Sequence, residues 1–311
     1  MKHSIFALVI LIIIGFGVYY FIQTSTGTPE TVEPIAEAPA PAPADDPMPV
    51  EPDEGIGDGA EPLPELLQSE TVIGNSIKGT PITAYHYGSG DRNIVLVGGI
   101  HGGYSWNTAL LAYQLMDYLE ANEDSIPENV RVSVIPVLNP DGLERVTGTT
   151  GRFAASDVSG DTVPGRFNSN DVDLNRNFDC QWEAEGTWQN QTVSGGSEPF
   201  SEPETNAFRR FIRENEPEAV VAYYSAAGGV YASSCTEGVL PETNEILNVY
   251  AEASGYPAYE EFDFYEITGD MVNWLASENI PGISVLLTDR ENTERSRNID
   301  GVEALMAEYA E

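Results

Sequence analysis

Strand-like and helix-like segments alternate along the chain from residue 71 to its end. Apolar runs of strand length predict four strands, at 93–100, 132–138, 219–224 and 283–287. Helical spacing of apolar residues predicts helices at 106–120, 243–254, 271–278 and 302–309. A further helix is predicted to start at Ser201, because Ser201 and Glu204 match the capping-box pattern. This alternation constrains residues 71–311 to a three-layer α/β domain with a largely parallel sheet.

The N-terminal segment has a different pattern. Lys2 is followed by an uncharged apolar run at residues 5–22, which is near the lower length limit for crossing a bilayer. The run ends without the small-residue cleavage site of a signal peptide. We therefore predict that residues 1–23 form an uncleaved transmembrane signal anchor, with a cleaved signal peptide as the alternative. The charge distribution predicts a single-pass protein of the cell membrane whose bulk lies outside the cytoplasm.

Residues 24–70 are rich in proline and acidic residues, a composition that cannot bury a core. We predict a disordered linker that holds the folded domain away from the membrane. The whole chain has 14 Lys and Arg against 50 Asp and Glu, which gives a net charge of −36. Because phosphate binding requires a basic surface, this balance argues against nucleic acid as a partner.

Polar residues follow the predicted strands. His101 leaves the first strand through glycines, and a histidine there is either a metal ligand or a hydrogen-bonded structural residue. The segment 171–178, DVDLNRNF, contains Arg176, which either grips a carboxylate or forms a structural network with a neighbouring aspartate. Tyr224 ends the third strand, and Tyr265 precedes a Gly-Asp pair. Because ligand sites of α/β sheets lie at the carboxyl ends of strands, we expect these residues to share one site.

In this order, the motifs GGIHGG, VLNPDG, VDLNRNF and SEPET resemble those of the zinc metallocarboxypeptidases, the carboxypeptidase A-like peptidases. The resemblance covers residues 75–311. It implies an α/β sandwich around a mixed sheet of about eight strands. It also implies a zinc ion held by two histidines and one glutamate, a second glutamate as general base, and peptide C-termini as ligands.

Several functional positions of the family match residues of this chain. The resemblance aligns His101 with the first zinc-binding histidine, Arg166 with the arginine near the oxyanion, Asn175 and Arg176 with the carboxylate clamp, and Tyr265 with the tyrosine that closes over the substrate.

Three other positions depart from the family. Tyr104 and Ser105 stand where the zinc-binding glutamate is expected, Tyr224 replaces the second histidine, and Leu286 replaces the general-base glutamate. A single imidazole cannot hold zinc against water, because catalytic zinc sites use three protein ligands. His86 is no substitute, since we interpret it as an exposed residue of an early strand. We therefore expect no cofactor, and zinc only if the family activity is retained.

Of the two cysteines, Cys180 closely follows the segment DVDLNRNF and Cys235 follows the end of the third predicted strand. In an extracytoplasmic domain they are predicted to form a disulfide that joins the loops around the site. Two buried free thiols are the alternative.

These observations favour a membrane-anchored pseudopeptidase that binds peptide C-termini, including those of cell-wall stem peptides, without zinc-dependent hydrolysis. One alternative is an active zinc metallocarboxypeptidase that cleaves such peptides with ligands not identified in the sequence. A second alternative is a structural or protein-interaction module, in which Asn175 and Arg176 only support their loop.

Overall fold

An eight-stranded mixed sheet and a two-stranded hairpin form the framework of the computed structural model, which describes residues 69–310. In chain order the strands are β1 (Glu70–Asn75), β2 (Pro81–Tyr87), β3 (Arg92–Val97), β4 (Val130–Ile135), β5 (Glu185–Trp188), β6 (Gln191–Ser194), β7 (Ala219–Ser225), β8 (Gly229–Ala232), β9 (Ala258–Tyr259) and β10 (Gly282–Leu287). The order across the large sheet is β1-β2-β4-β3-β7-β10-β8-β9, and β5 pairs with β6. The predicted mixed sheet of about eight strands is confirmed.

The centre of the sheet is parallel. β4, β3, β7 and β10 run in the same direction, while β2 and β8 run antiparallel to the central strands beside them. All residues of β4 and β10 are buried, as expected for central strands covered on both faces. The continuous apolar runs in the sequence therefore correctly predicted these strands.

Six α-helices pack around the sheet within the described residues. They are α1 (Trp106–Ala121), α2 (Pro140–Thr147), α3 (Pro203–Asn215), α4 (Pro241–Ser254), α5 (Met271–Ser277) and α6 (Arg295–Glu308). Short 3₁₀ turns occur at Glu123–Ser125, Ala155–Asp157, Val163–Arg166 and Leu174–Arg176.

Successive residues of the central strands point to opposite faces of the sheet and build two separate cores. Ile94 of β3 faces the layer that contains α1, α4 and α6. Val95, Tyr224 of β7 and Leu286 of β10 face the other layer, which contains α3, α5 and the loop around Leu174. This arrangement is the predicted three-layer sandwich, and it places Tyr224 and Leu286 on the face covered by the DVDLNRNF segment.

The predicted membrane anchor at 1–23 lies outside the described residues, as does nearly all of the predicted linker at 24–70. Among residues 69–310, no helix combines the length and the apolar character required to cross a bilayer.

The residues at the start of α2 have the composition of a turn. The sequence Asn139-Pro140-Asp141-Gly142 reads as a turn, but it is the first turn of α2. The side chain of Asn139 accepts a hydrogen bond from the Gly142 amide at 2.8 Å, and Pro140 occupies the first helical position. Both residues favour turns and helix starts equally, so the pattern alone could not distinguish the two.

The predicted capping box at Ser201 is wrong. α3 begins at Pro203, and its N-cap residue Glu202 makes no side-chain cap hydrogen bond. Ser201 instead donates to the Glu202 carboxylate at 2.9 Å. Glu204 is fully buried and accepts hydrogen bonds from the Ile77 amide and the side chain of Asn168. Glu204 therefore connects α3 to the rest of the fold rather than capping its own helix.

Aromatic packing and one disulfide fix the segment around Phe178. The Phe178 ring contacts the rings of Phe200, Phe208 and Trp274, so it joins the loop to α3 and α5. Cys180 is bonded to Cys235 in a disulfide with a Cα–Cα distance of 6.0 Å. These contacts hold the DVDLNRNF segment rigidly against the sheet.

Gly269 allows the backbone just before α5 to pack closely against the segment around Phe178. Its amide donates to the Cys180 carbonyl at 2.8 Å, and its carbonyl accepts from the Phe178 amide at 2.9 Å. The residue has φ +62°, and a Cβ atom there would lie 2.5 Å from the Arg176 carbonyl oxygen. Only glycine satisfies both constraints.

Asp270 caps α5 from a buried position. Its Oδ2 atom accepts a 3.4 Å hydrogen bond from the Asn273 amide, whereas its buried Oδ1 atom has no hydrogen-bond partner among the described residues. Burial raises the pKa of Asp270 to about 6, although the nearby Arg176 charge favours the ionised form. The carboxyl group is therefore costly to ionise in the folded protein.

We expect the Asp270→Asn variant to lose part of the pH dependence of stability. The folded chain retains this proton up to about pH 6, whereas an aspartate carboxyl exposed to water in the unfolded chain loses it near 3.8, so the folded state binds more protons between these values. The free energy of unfolding of the wild type should therefore fall relative to that of the variant as pH rises from about 4 to 6, by at most about 1.4 kcal/mol per pH unit.

Urea unfolding at a series of pH values measures this difference. The Asp91→Asn variant, which changes an exposed carboxylate, is the control for removing one charge from an acidic chain. Wild-type and Asp270→Asn curves that stay parallel between pH 4 and 6 would contradict the assignment.

Candidate functional site

A cavity of about 1110 Å³ opens at the carboxyl ends of the central parallel strands. On one side of β3 lies β4, which follows β3 and α1 in the chain, and on the other side lies β7. The chain therefore reverses its direction across the sheet next to β3, and ligands of open α/β sheets bind at such points. His101 follows β3, Tyr224 lies near the end of β7, and Leu286 lies near the end of β10.

The predicted site residues converge on this cavity. Its lining includes His101, Tyr104, Arg166, Asn175, Arg176, Tyr224, Tyr265, Leu286 and Cys235. Ser105 and Cys180 are buried behind the lining. The expectation that polar residues at the strand ends share one site agrees with this arrangement, while the chemical role of each residue stays a prediction.

His101 is a buried, neutral imidazole. The chain reaches it through Gly98 and Gly99, where Gly99 has φ +61°. The Nε2 atom lies 3.5 Å from Oδ1 of Asp173, too far for a hydrogen bond, and it has no other partner among the described residues. Burial and then the charge of Arg166 lower the pKa of His101 to about 4, so the ring carries no charge near pH 7.

Asp173 and Arg166 form a buried ion pair beneath His101. The Nε and Nη2 atoms of Arg166 lie 2.8 and 2.7 Å from Oδ2 of Asp173. Burial opposes the ionisation of Asp173, but the charge of Arg166 holds the pKa of this carboxyl well below its usual range. The other oxygen of Asp173 accepts a hydrogen bond from the backbone amide of Asn175 at 3.1 Å, so the ion pair also positions the segment that contains Asn175 and Arg176.

Asp173 therefore pairs with Arg166 and not with Arg176, so the alternative of an Asp–Arg network within the segment 171–178 is wrong for this pair. Arg176 donates to backbone carbonyls instead: its Nε and Nη2 atoms bind the oxygen of Thr187 at 3.2 and 2.7 Å, and Nη1 binds the oxygen of Asn175 at 2.6 Å. Arg176 thus holds the β5–β6 hairpin and is also one of the residues that line the cavity.

Asn175 also has a structural role. Its Oδ1 atom accepts hydrogen bonds from the Tyr224 hydroxyl and from the Met271 amide, both at 3.1 Å. The side-chain oxygen of Asn175 is thereby committed to β7 and α5. Both predictions for Asn175 and Arg176, a clamp for carboxylates and a support for the loop, agree with this geometry, because the two side chains line the cavity and also bind the protein.

Tyr224 and Leu286 are neighbours on adjacent parallel strands, in register with each other. The Tyr224 ring lies 5.7 Å from the His101 ring, so its phenol occupies the position beside the imidazole. Burial raises the pKa of Tyr224 well above its usual range, which keeps the phenol neutral. Leu286 has no polar atom in its side chain. Neither residue can replace a zinc-binding histidine or a general base.

Tyr104 and Ser105 belong to the turn between His101 and α1. The Tyr104 ring packs edge-on against Trp188 at 5.0 Å. Ser105 is the N-cap residue of α1, but its side chain makes no cap hydrogen bond and its hydroxyl has no partner within the described region. The Tyr104 ring therefore forms part of the cavity wall, whereas Ser105 is buried and does not line the cavity.

The donor set does not fit a zinc ion. His101 is the one imidazole in the cavity lining, and the nearest carboxylate, Asp173, is already neutralised by Arg166. Across residues 69–310, no group of three or more His, Cys, Asp or Glu side chains is arranged to hold a metal ion. We therefore assign no zinc-dependent step to this cavity.

His86 lies away from the cavity and is less exposed than predicted. It is partly buried in β2, where Nε2 is 3.0 Å from the Thr71 hydroxyl and Nδ1 is 2.9 Å from the Ser133 hydroxyl. Both ring nitrogens are therefore occupied by hydrogen bonds to neighbouring strands, and His86 is a structural histidine.

Tyr265 lies in the cavity wall within an acidic and aromatic segment. Its ring is 5.2 Å from that of Phe262, and its centroid is 6.0 Å from the guanidinium carbon of Arg176. The same segment contributes four acidic residues to the lining, Glu260, Glu261, Asp263 and Glu266. The position of Tyr265 beside Arg176 suits a residue that closes over a bound carboxylate, which stays a prediction.

Trp188 and Arg290 are among the lining residues that were not predicted from the sequence. Trp188 belongs to the β5–β6 hairpin, whose strands are too short to show a clear periodicity in the sequence. The available signal was the alternation in EGTW and QTVS on either side of a two-residue turn. Arg290 follows the end of β10 by three residues, and the available signal was a charged side chain just after a predicted strand.

Comparison with known proteins identifies several relatives. Gamma-D-glutamyl-L-diamino acid endopeptidase 1 of Lysinibacillus sphaericus is 26% identical over 218 residues, which cover 63% of this chain and 54% of the relative. The chain thus matches about half the length of that protein. Murein peptide amidase A of Vibrio campbellii is 26% identical over 235 residues, which cover 71% of this chain and 80% of the amidase.

Solved structures share the fold. The murein-tripeptide amidase of Escherichia coli O157 superposes with a TM-score of 0.55 at 20% identity, over 80% of this chain and 96% of the amidase. Bovine thrombin-activatable fibrinolysis inhibitor, in complex with tick carboxypeptidase inhibitor, gives a TM-score of 0.62 at 17% identity, over 77% of this chain and 89% of that chain. Residues 63–292 match the family model described as zinc carboxypeptidase. The chain therefore belongs to the zinc carboxypeptidase family.

Proposed function

We propose that this chain is a carboxypeptidase-like protein that binds peptide C-termini without zinc-dependent hydrolysis. In this proposal the segment 1–23 anchors it in the cell membrane and the domain lies on the extracytoplasmic side. The observation that carries the proposal is the set of side chains at the ends of β3, β7 and β10. These are a single imidazole at His101, a neutral phenol at Tyr224 and an aliphatic group at Leu286.

These side chains leave no means of activating water. Without a bound metal the pKa of water stays near its bulk value of about 15.7, instead of about 7. A general base must lie within hydrogen-bond reach of the water that it deprotonates, and Leu286 has no group to accept a proton. The carboxylate nearest to His101, that of Asp173, is a weak base because Arg166 stabilises its ionised form.

The binding half of the site supports recognition of a carboxylate. Arg176 is buried and lines the cavity, and its charge is not paired with a carboxylate within 4.0 Å in the described domain. The side-chain amide of Asn175 lies beside it, and its oxygen is held by Tyr224 and Met271, which directs the amide nitrogen away from those two groups. A fixed guanidinium and a fixed amide suit a carboxylate at the end of a peptide.

The names of the relatives suggest a source for such peptides. Two relatives are named for murein or for a gamma-D-glutamyl-L-diamino acid bond. We therefore include cell-wall stem peptides among the candidate ligands. Membership of a zinc carboxypeptidase family favours an active peptidase as the second candidate, which would require metal ligands beyond those that the cavity offers.

We expect the full chain, purified in detergent from zinc-containing medium, to contain far less than equimolar zinc. The cavity offers one neutral imidazole where three ligands are needed. Added zinc should also leave the melting temperature unchanged, because a ligand stabilises a fold only in proportion to its binding. Elemental analysis by mass spectrometry and thermal unfolding measure the two quantities.

The His101→Ala variant is the matched control, and its zinc content should equal that of the wild type. Equimolar zinc that disappears in His101→Ala, together with release of C-terminal residues from peptides, would establish the active peptidase instead.

We expect peptides with a free C-terminal carboxylate to bind at least about tenfold more tightly than the same peptides with a C-terminal amide. A charge-assisted hydrogen bond contributes about 1.5–3 kcal/mol, and about 1.4 kcal/mol corresponds to a factor of ten. Isothermal titration calorimetry of the full chain with matched acid and amide peptides measures the ratio. Changing the ligand avoids disturbing Arg176, which also holds the β5–β6 hairpin.

A protein variant tests the same contact from the other side. Asn175→Asp keeps an oxygen acceptor for Tyr224 and Met271 but replaces the amide donor with a carboxylate, so it should weaken binding of the free-acid peptides. Asn248→Asp makes the same change at an exposed position of α4 and should leave affinity unchanged. Equal binding of acid and amide peptides would leave the structural or interaction module as the better account.

A further inference from the structure

Arg290 is a cavity residue whose charge the fold itself does not neutralise. It follows β10 and lines the same cavity as His101 and Arg176. Its Nε atom is buried and has no hydrogen-bond partner within residues 69–310. Its guanidinium carbon lies 4.7 Å from the centroid of the Tyr104 ring, so the group is held against an aromatic face.

The nearby carboxylates are committed elsewhere. Asp289 precedes Arg290 in the chain, but its carboxylate accepts hydrogen bonds from the backbone amides of Glu291 and Asn292 and from the Asn292 side chain. Asp173 is paired with Arg166. No carboxylate of the described domain lies within salt-bridge distance of Arg290. The cavity therefore contains a cation that is positioned but not paired.

Aromatic rings fix the orientation of Arg290 and of the neighbouring Arg166. The guanidinium carbon of Arg166 lies 5.5 Å from the same Tyr104 ring and 4.5 Å from the Trp188 ring. Arg166 and Arg290 thus share one aromatic support, which restricts the positions that their long side chains can adopt. The charge of Arg166 is paired with that of Asp173, whereas the charge of Arg290 stays available to a ligand.

We infer that Arg290, supported by Tyr104, is a second carboxylate-binding site in the cavity. This inference rests on the proposed function, in which Asn175 and Arg176 take the C-terminal carboxylate. The ligand class is then a peptide that has a further carboxylate on the side chain of one of its last residues. A guanidinium is suited to this task, because its planar array of N–H donors matches the two oxygens of a carboxylate.

The acidic segment of the cavity wall narrows the ligand class. Glu260, Glu261, Asp263 and Glu266 line the cavity, and the whole chain has a net charge of −36. These charges repel an extended polyanion, so a nucleic acid or a polyphosphate is a poor fit. A short peptide with carboxylates at its C-terminal end and an ammonium group farther from that end is compatible with both kinds of charge.

A set of free-acid peptides tests the inference. Glu is placed at the last, the second-last or the third-last position, and each peptide is compared with the same peptide containing Gln there. For one of these positions, the full-length wild type should bind the Glu peptide about tenfold more tightly than the Gln peptide. In the Arg290→Gln variant this preference should fall below about twofold, while the affinity for the Gln peptides stays the same.

Arg295→Gln is the matched control, since it removes the same charge from an exposed position of α6, outside the cavity. It should keep the preference for Glu. Thermal unfolding confirms that each variant is folded, which is expected for Arg290→Gln because Arg290 makes no hydrogen bond or ion pair within the described domain.

The outcomes separate this inference from the proposed function. Failure of every free-acid peptide to bind would overturn the proposed function, and the Arg290 site with it. Binding without a Glu preference at any position would overturn the Arg290 site alone. A Glu preference that persists in Arg290→Gln, or an equal loss of affinity for Glu and Gln peptides, would overturn it as well.

Discussion

The buried ion pair between Asp173 and Arg166 is the interaction on which the site depends. It lies beneath His101 and joins the end of a 3₁₀ turn to the DVDLNRNF segment. Asp173 also accepts a hydrogen bond from the backbone amide of Asn175, so the same carboxylate sets the position of residues that line the cavity. Removing either partner would leave an uncompensated charge in the interior, at a cost of about 3–5 kcal/mol. The ion pair thus makes the site rigid without making it a metal site.

Around this ion pair, the cavity combines the framework of a metallopeptidase with side chains of a different chemistry. The ends of β3, β7 and β10 meet where the sheet order places them, and the Gly98–Gly99 turn delivers His101 to the cavity. A zinc site at these strand ends would need additional anionic or imidazole donors. The cavity instead contains neutral phenols, an aliphatic group and arginines. The arginines offer hydrogen-bond donors to an anion on one side of the cavity, while the acidic residues at 260–266 line another part of its wall. We therefore propose that a carboxylate binds on the arginine side.

Much of the fold followed from the sequence because the central strands are buried on both faces. Continuous apolar runs such as 283–287 have one physical explanation in an α/β pattern, and β10 is found there. The helix α2 did not follow, because Asn139 and Pro140 favour a turn as much as a helix start. The hairpin of β5 and β6 was missed because its strands are short and largely polar on the exposed side.

The site could be predicted only as far as motifs specify it. His101, Arg166, Asn175 and Tyr265 were found through their motifs, and all of them line one cavity. The pairing of Asp173 with Arg166 rather than Arg176 was not predictable, because the choice between two nearby arginines depends on where Thr187 places its carbonyl. Arg290 and the acidic wall have no periodic pattern, and their convergence is a product of the tertiary structure alone.

We propose that this cavity recognises a carboxylate and does not bind zinc. Anomalous X-ray diffraction at the zinc absorption edge tests it most directly, on crystals that contain both zinc and a free-acid peptide. If the proposal is correct, no anomalous peak appears beside His101, and the electron density shows the peptide carboxylate next to the guanidinium of Arg176. A zinc peak bound to the His101 ring, with the peptide carbonyl directed towards it, would contradict the account.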